Sequence, residues 1–183
     1  MFRLSIDEHL ELRLLEPHHA EALFDAVDAD RARLRIWLPW VDSTREVEDT
    51  RTFITGQLAK LAKQEELTAG LFVDGRIAGV IGARLSPLPP SADIGYWIAA
   101  EFEGRGLMTK AVAAMIDHLF TERDLHRVEI RCAVDNERSA AIPRRLGFKL
   151  EGVERESQQI QGRFLDHNRY GLIRGEWTDS PAG

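Results

Sequence analysis

The residues best placed to do chemistry lie in one run, Asp93-Ile94-Gly95-Tyr96-Trp97-Ile98-Ala99-Ala100-Glu101-Phe102-Glu103-Gly104-Arg105-Gly106-Leu107-Met108-Thr109-Lys110. An apolar strand leads into a turn punctuated by Gly104 and Gly106, and the turn opens into an amphipathic helix. Glycine lets main chain approach a ligand closely. The first N–H groups of a helix have no partner within it, so they attract an anion. A turn of this kind suits phosphate or pyrophosphate, and Arg105 and Lys110 add positive charge beside it. The chain has no Gly-x-x-x-x-Gly-Lys-[Ser/Thr] loop. Gly104 and Gly106 supply only part of a dinucleotide fingerprint, and they stand too far along the chain to begin a doubly wound fold.

The elements that must position this turn follow from periodicity. Leu10 to Leu15 alternates as a strand, and Pro17 opens a helix with Ala20, Leu23, Phe24 and Val27 on one face. Pro39 ends any helix through Trp37-Leu38-Pro39-Trp40, and Asp49 or Thr50 caps a second helix carrying Phe53, Ile54, Leu58 and Leu61. Thr68 to Val73 and Arg76 to Leu85 form a hairpin on Asp74-Gly75. Pro87, Pro89 and Pro90 mark a loop before a strand over Ala92 to Ala99. Met108, Ala111, Val112, Met115 and Leu119 make the core stripe of the next helix, and Val128 to Val134 alternates as a strand. Asn136 to Leu146 reads as a helix closed by Gly147, with Pro143 forcing a kink or a late start. Two strands, Lys149 to Gln159 and Phe164 to Ile173, finish the pattern. The order predicts a largely antiparallel sheet with one parallel pair.

With 183 residues the chain suits one domain with a substantial core, and a formal charge of −6 argues against broad nucleic-acid binding. No apolar run is long enough to cross a bilayer, and the N-terminus lacks a secretion-signal pattern. The simplest compartment is cytoplasmic. The single cysteine, Cys132, forms no internal disulfide and reads as a buried small hydrophobe. No His, Cys or carboxylate spacing supports a metal site.

Ile94-Gly95-Tyr96-Trp97, Glu103 to Thr109, Asn136-Glu137-Arg138-Ser139 and Leu146-Gly147-Phe148 together resemble the GNAT superfamily of acetyl-CoA-dependent N-acetyltransferases. Within it they resemble the ribosomal-protein N-terminal (serine/alanine) acetyltransferase branch, as do Trp37-Leu38-Pro39-Trp40, Glu48-Asp49-Thr50 and Gly162 to His167. The resemblance runs from Leu10 to Trp177. It implies a single α/β (α+β) domain over residues 1–177 with a flexible tail over 178–183. The sheet would be mixed and mostly antiparallel, with a splayed central parallel strand pair and flanking helices. Acetyl-CoA would be the acetyl donor and a protein N-terminus, such as that of a ribosomal protein, the acceptor. A small-molecule amine acetyltransferase and a catalytically weak acyl-CoA sensor are the alternatives, and homodimers are common in the branch.

The resemblance also implies roles. Main-chain groups of Trp97, Ile98 and Ala99 would pair with pantetheine. Glu103, Gly104, Arg105, Gly106, Leu107, Met108, Thr109 and Lys110 would hold the pyrophosphate, and Asn136 would bond pantetheine or cap the next helix. Acetyl transfer needs a neutral amine, a donor to the carbonyl oxygen and a proton for the leaving thiolate. Ile98 or Ala99 N–H would serve the oxygen. Ser139 would protonate the sulfur, because the slot where many relatives hold a tyrosine is here Pro143. The branch usually places a glutamate where this chain has Gln158, so Glu156, two residues away, is the substitute base. His167 is a further proton relay, and Trp37 and Trp40 would wall the acceptor groove.

Overall fold

The computed structural model describes residues 2–177, so the expected tail at 178–183 lies outside the described residues. The sheet has eight strands, β1 (Arg3–Ser5), β2 (Leu10–Leu14), β3 (Glu66–Val73), β4 (Arg76–Pro87), β5 (Pro90–Ile98), β6 (Arg127–Ala133), β7 (Lys149–Ile160) and β8 (Arg163–Ile173). Their spatial order is β1-β2-β3-β4-β5-β6-β8-β7, and β5–β6 is the one parallel pair. The short β1 escaped periodicity because three residues carry no alternation. The proline-rich stretch is no loop. It is a tight connection in which Pro87 and Pro90 still pair across β4 and β5.

Five helices flank the sheet: α1 (Ala20–Ala29), α2 (Arg31–Leu34), α3 (Val47–Ala62), α4 (Leu107–Thr121) and α5 (Glu137–Arg145). The third starts earlier than expected. Glu46 is its cap residue, and Asp49 reaches back to accept from the N–H groups of Arg45 and Glu46 at 2.8 and 3.1 Å. One face of the sheet packs against α4 and α5 through Leu71, Ile81, Ile94, Ile130 and Tyr170, which meet Met108, Val112, Met115 and Leu119. Each large apolar side chain buried there contributes about 1.5–3 kcal/mol. The other face packs against α1 and α3 over β3 and β4, where Leu23 and Ile54 meet Phe72 and Val80.

The decisive detail is where β5 and β6 stop pairing. Their ladder runs from Ser91–Arg127 to Ile94–Ile130 and ends, although β5 continues to Ile98 and β6 to Ala133. On its other side β5 stays paired with β4 as far as Ile98–Gly79. The two central strands therefore splay, leaving one edge of β5 free from Gly95 onward. Gly79 makes the intact side work, because a methyl group there would collide with Trp97 O. Gly79→Ala should cost about 1–3 kcal/mol by overpacking. Urea unfolding would show it, and a midpoint equal to that of the parent chain would contradict this account of the β4–β5 contact.

Candidate active site

Alternation of main-chain groups along β5 decides which of them face the gap. Ala99 N–H is committed to Ala78 O at 2.8 Å, so Ala99 and Trp97 turn toward β4. Tyr96 and Ile98 turn toward the opening. Of the expected Trp97, Ile98 and Ala99, Ile98 has its N–H facing the gap. Its carbonyl is held by Arg33 Nη2 at 2.7 Å.

Past β5 the chain makes a short helical turn over Ala100–Phe102 and then the glycine turn. Gly104 and Gly106 adopt φ of 72° and 71°, a left-handed conformation that glycine reaches without strain. The first intrahelical bond of α4 is Lys110 N to Gly106 O at 3.1 Å, so the N–H groups of Leu107, Met108 and Thr109 point out of the helix. They face a groove lined by Gly104, Gly106, Leu107, Arg138 and Arg145. The two expected cations are placed differently. Lys110 lines the groove but pairs with Asp7 at 2.9 Å, and Arg105 lies 6.0 Å from the Phe102 ring and does not line it. Glu103, far from being a free anion beside the turn, is held by Arg33 at 2.6 Å and by Arg138. A pyrophosphate fits here: exposed amides, two guanidiniums and two glycines supply what a dianion needs.

A cavity of about 920 Å³ opens on the opposite face of the sheet and reaches into the same gap. Trp37 and Trp40 line it as expected, and the Trp40 ring stands 6.3 Å from that of Trp97. Tyr96, Cys132, Asn136 and Ser139 form its inner end. The groove and the cavity thus approach one point from opposite sides. The buried Cys132 thiol is pushed up by desolvation, which keeps it protonated at neutral pH.

Ser139 sits at the crossing because of two polar residues. Asn136 caps α5, its Oδ1 accepting from Ser139 N–H at 3.1 Å, which is the capping alternative of the sequence reading. Pro143 lies inside α5, with neither a late start nor a break. Having no N–H, it leaves the carbonyl four residues back, that of Ser139, without its helical partner. Tyr96 reaches across the gap and donates to that carbonyl at 2.9 Å, and the Ser139 hydroxyl lies 3.4 Å from the same phenol. Burial pushes the Tyr96 phenol well above its usual range, so it remains a donor.

The expected base changes. Period-two alternation puts Glu156 beside Gln158, but β7 bulges between Glu154 and Gln158, where its register against β8 shifts. Glu156 has φ of 50°, its N–H bonds Asp166 at 2.8 Å, and its side chain does not line the cavity. Gln158, Glu154, Ser157 and His167 do. Glu154 is engaged by Arg131 at 3.6 Å. Burial lowers the His167 pKa, so the ring is neutral at neutral pH, and its Nδ1 pairs with Ser157 Oγ at 2.9 Å. Sequence reasoning missed Arg33, Tyr96 and Glu154. The only available signal was Pro143, which announces an orphaned carbonyl.

Known proteins share this fold and its sequence pattern. The family described as Acetyltransferase (GNAT) domain matches residues 9–149. YdaF of Bacillus subtilis (strain 168) is 38% identical over 179 residues, covering 97% of this chain and 98% of its own. The ribosomal-protein-serine acetyltransferase of Escherichia coli (strain K12) is 29% identical over 171 residues, covering 93% and 96%. A solved ribosomal alpha-N-protein acetyltransferase in complex with coenzyme A superposes with a TM-score of 0.91 at 30% identity, covering 94% of this chain and 98% of that one.

Tyr96→Phe removes the phenol donor from the half-buried Ser139 carbonyl without changing shape. It should cost about 1–3 kcal/mol, the penalty for leaving such an acceptor unsatisfied. Denaturant titration is the measurement; stability equal to that of the parent chain would mean that Tyr96 does not replace the bond lost at Pro143.

Proposed function

Because this chain belongs to the GNAT acetyltransferase family and so moves an acetyl group from acetyl-CoA to an amine, we propose that its acceptor is the N-terminal α-amine of a protein, such as a ribosomal protein. One observation carries the reading. The cavity walls that receive the amine offer the amide of Gln158 and a neutral His167, while Glu154 is tied to Arg131. His167, a neutral imidazole, is the base at hand, and so weak a base suits an amine that is already partly neutral. An α-amine, with a pKa near ~8, is already roughly one-tenth neutral at pH 7, whereas a lysine near ~10.4 is neutral in less than about a thousandth of molecules. The solved neighbour described as an alpha-N-protein acetyltransferase supports the same reading, and the cavity has room for several residues of chain.

The residues divide the work as follows. N–H groups of Leu107, Met108 and Thr109, with Arg138 and Arg145, hold the phosphates of acetyl-CoA and aim its thioester into the gap. Ile98 N–H, in the unpaired edge of β5, donates to the carbonyl oxygen as negative charge builds there. His167, whose Nδ1 pairs with Ser157 Oγ, accepts the proton the amine sheds, directly or through water positioned by Gln158. Ser139 gives its hydroxyl proton to the departing sulfur and is reprotonated at the end of the turnover. One proton lost by the amine and one gained by the thiolate balance. Arg33 positions the site from behind. It joins Asp30, Glu103 and the Ile98 carbonyl, tying α2 to both the strand end and the phosphate turn. A small cationic amine is the second reading, favoured by a cavity lined with four carboxylates (Asp49, Glu66, Asp93, Glu154) against two guanidiniums (Arg84, Arg131).

Acetyl-CoA consumption with tetrapeptides bearing a free N-terminal serine or alanine should exceed that with the same peptides N-blocked and carrying one lysine by more than about tenfold in kcat/KM. Equal rates would remove the α-amine assignment. Two variants separate binding from chemistry. Gly106→Glu crowds and charges the turn and should weaken coenzyme A by more than about tenfold, a loss of at least about 1.4 kcal/mol, read by calorimetry. Ser139→Ala should lower kcat while leaving that affinity within about twofold. Unchanged affinity in the first, or unchanged kcat in the second, contradicts the role given.

A further inference from the structure

The acceptor cavity has a second end that acetyl transfer itself does not use. Thr68, Gly82 and Gly95 are direct cross-strand partners, so the three share one face of the sheet. Gly95 is the first residue of β5 beyond its last pair with β6, which puts it at the mouth of the gap. A side chain at Gly95 would meet nothing within 4 Å, and one at Gly82 would come to 3.2 Å from Thr68 Oγ1 and 3.5 Å from Glu66 Oε1. Two glycines side by side thus floor a trough without side chains. It runs from the gap to Glu66 and Thr68, two strand spacings or about 10 Å away.

The far end of this trough collects hydrogen-bond acceptors. Glu66 is only 15% exposed at its side chain; Lys60 holds its Oε2 at 3.0 Å, and Oε1 has Thr68 alone at a long 3.4 Å. From above, α3 lays Thr50, Ile54 and Gln57 on one helical face, and Ile54 packs into the apolar cluster on that face of the sheet. Thr50 is 3% exposed, and both Thr50 Oγ1 and Gln57 Oε1 are buried with no partner among the described residues. Buried polar atoms are ordinarily satisfied, and orphans beside a cavity mark a place for a ligand atom. A carboxylate oxygen, an amide oxygen and a hydroxyl together call for a group rich in donors, and an ammonium brings three.

We propose that Glu66, Gln57 and Thr68 form a second acceptor subsite that binds an ammonium group of the acceptor about 10 Å from the amine being acetylated. The inference rests on the acetyl-transfer reading for the position of that amine. An extended peptide spans about 7 Å over two residues, so a lysine at its second or third position delivers the ammonium. The free end of a long diamine delivers the same group. Gly82 is the specificity-determining residue, since any side chain there would fill the trough.

The test compares acceptors matched for length and apolar bulk. Ser-Ala-Lys-Ala is set against Ser-Ala-norleucine-Ala, and diaminooctane against octylamine, with kcat and KM measured for each. A hydrogen bond to a charged group predicts an advantage of about tenfold or more for the ammonium-bearing partner, seen in KM. The peptide pair responding alone assigns the ammonium to a peptide, and the amine pair alone to a polyamine. Glu66→Gln and Gly82→Val should each bring the ratio within a pair close to one. Equal kcat/KM within both pairs, or an advantage that survives in both variants, overturns the subsite and leaves acetyl transfer standing. Calorimetric binding of the same peptides to the coenzyme A complex covers the remaining case. Binding that prefers lysine and depends on Glu66, without turnover, keeps the subsite and overturns the choice of acceptor; no preference in binding or turnover overturns the subsite.

Discussion

The structure depends on a ladder that ends early. Four residue pairs join β5 to β6 before the strands part. Beyond them β5 carries main-chain donors and acceptors with no strand to receive them. Buried groups of this kind are costly unless something else satisfies them. Side chains answer part of this. Arg33 takes the Ile98 carbonyl, Tyr96 bridges the opening to α5, and the Ile98 N–H is left facing the gap. That last group is available to a substrate because the sheet gives it no partner.

The same logic explains why the surroundings of the gap are polar yet ordered. Pro143 frees the Ser139 carbonyl, and the Tyr96 phenol that satisfies it also approaches the serine hydroxyl. A residue that looks like a defect in a helix therefore fixes the distance between α5 and β5. Arg33 does comparable work on the other side, where Asp30 also accepts from Ala100 N–H at 2.6 Å. That pair locks the strand end to α2 and, through Glu103, to the phosphate turn. Most ion pairs on the outer surface, such as Arg51–Glu48 or Arg76–Glu101, are exposed and contribute little. The half-buried set around Arg33 differs because its partners lie on three separate segments.

Much of this was legible in the residues. The glycine turn, the Asp74-Gly75 hairpin and the parallel pair all follow from local rules of φ, periodicity and chain order, and the GNAT resemblance rested on the same segments. The cap at Asn136 was legible too, and Ser139 sits where the resemblance placed it. What stayed hidden were features set by tertiary partners. The bulge in β7 turned Glu156 away while Glu154 and Gln158 on either side of it line the cavity, and two extra residues in a ladder leave no mark in apolar alternation. Lys110 and Arg105 looked like phosphate ligands, but Asp7, more than one hundred residues before Lys110, takes the first. Arg138 and Arg145 line the same groove from α5, a helix whose docking against the turn no local pattern encodes.

The central claim is that main-chain amides of β5 and of the start of α4, unpaired within the fold, receive acetyl-CoA. The most direct measurement is the amide spectrum of the isotopically labelled protein during titration with coenzyme A. The account predicts that Ile98, Leu107, Met108 and Thr109 shift first and exchange their protons more slowly once bound. Binding that leaves these four amides unmoved while others shift would contradict it.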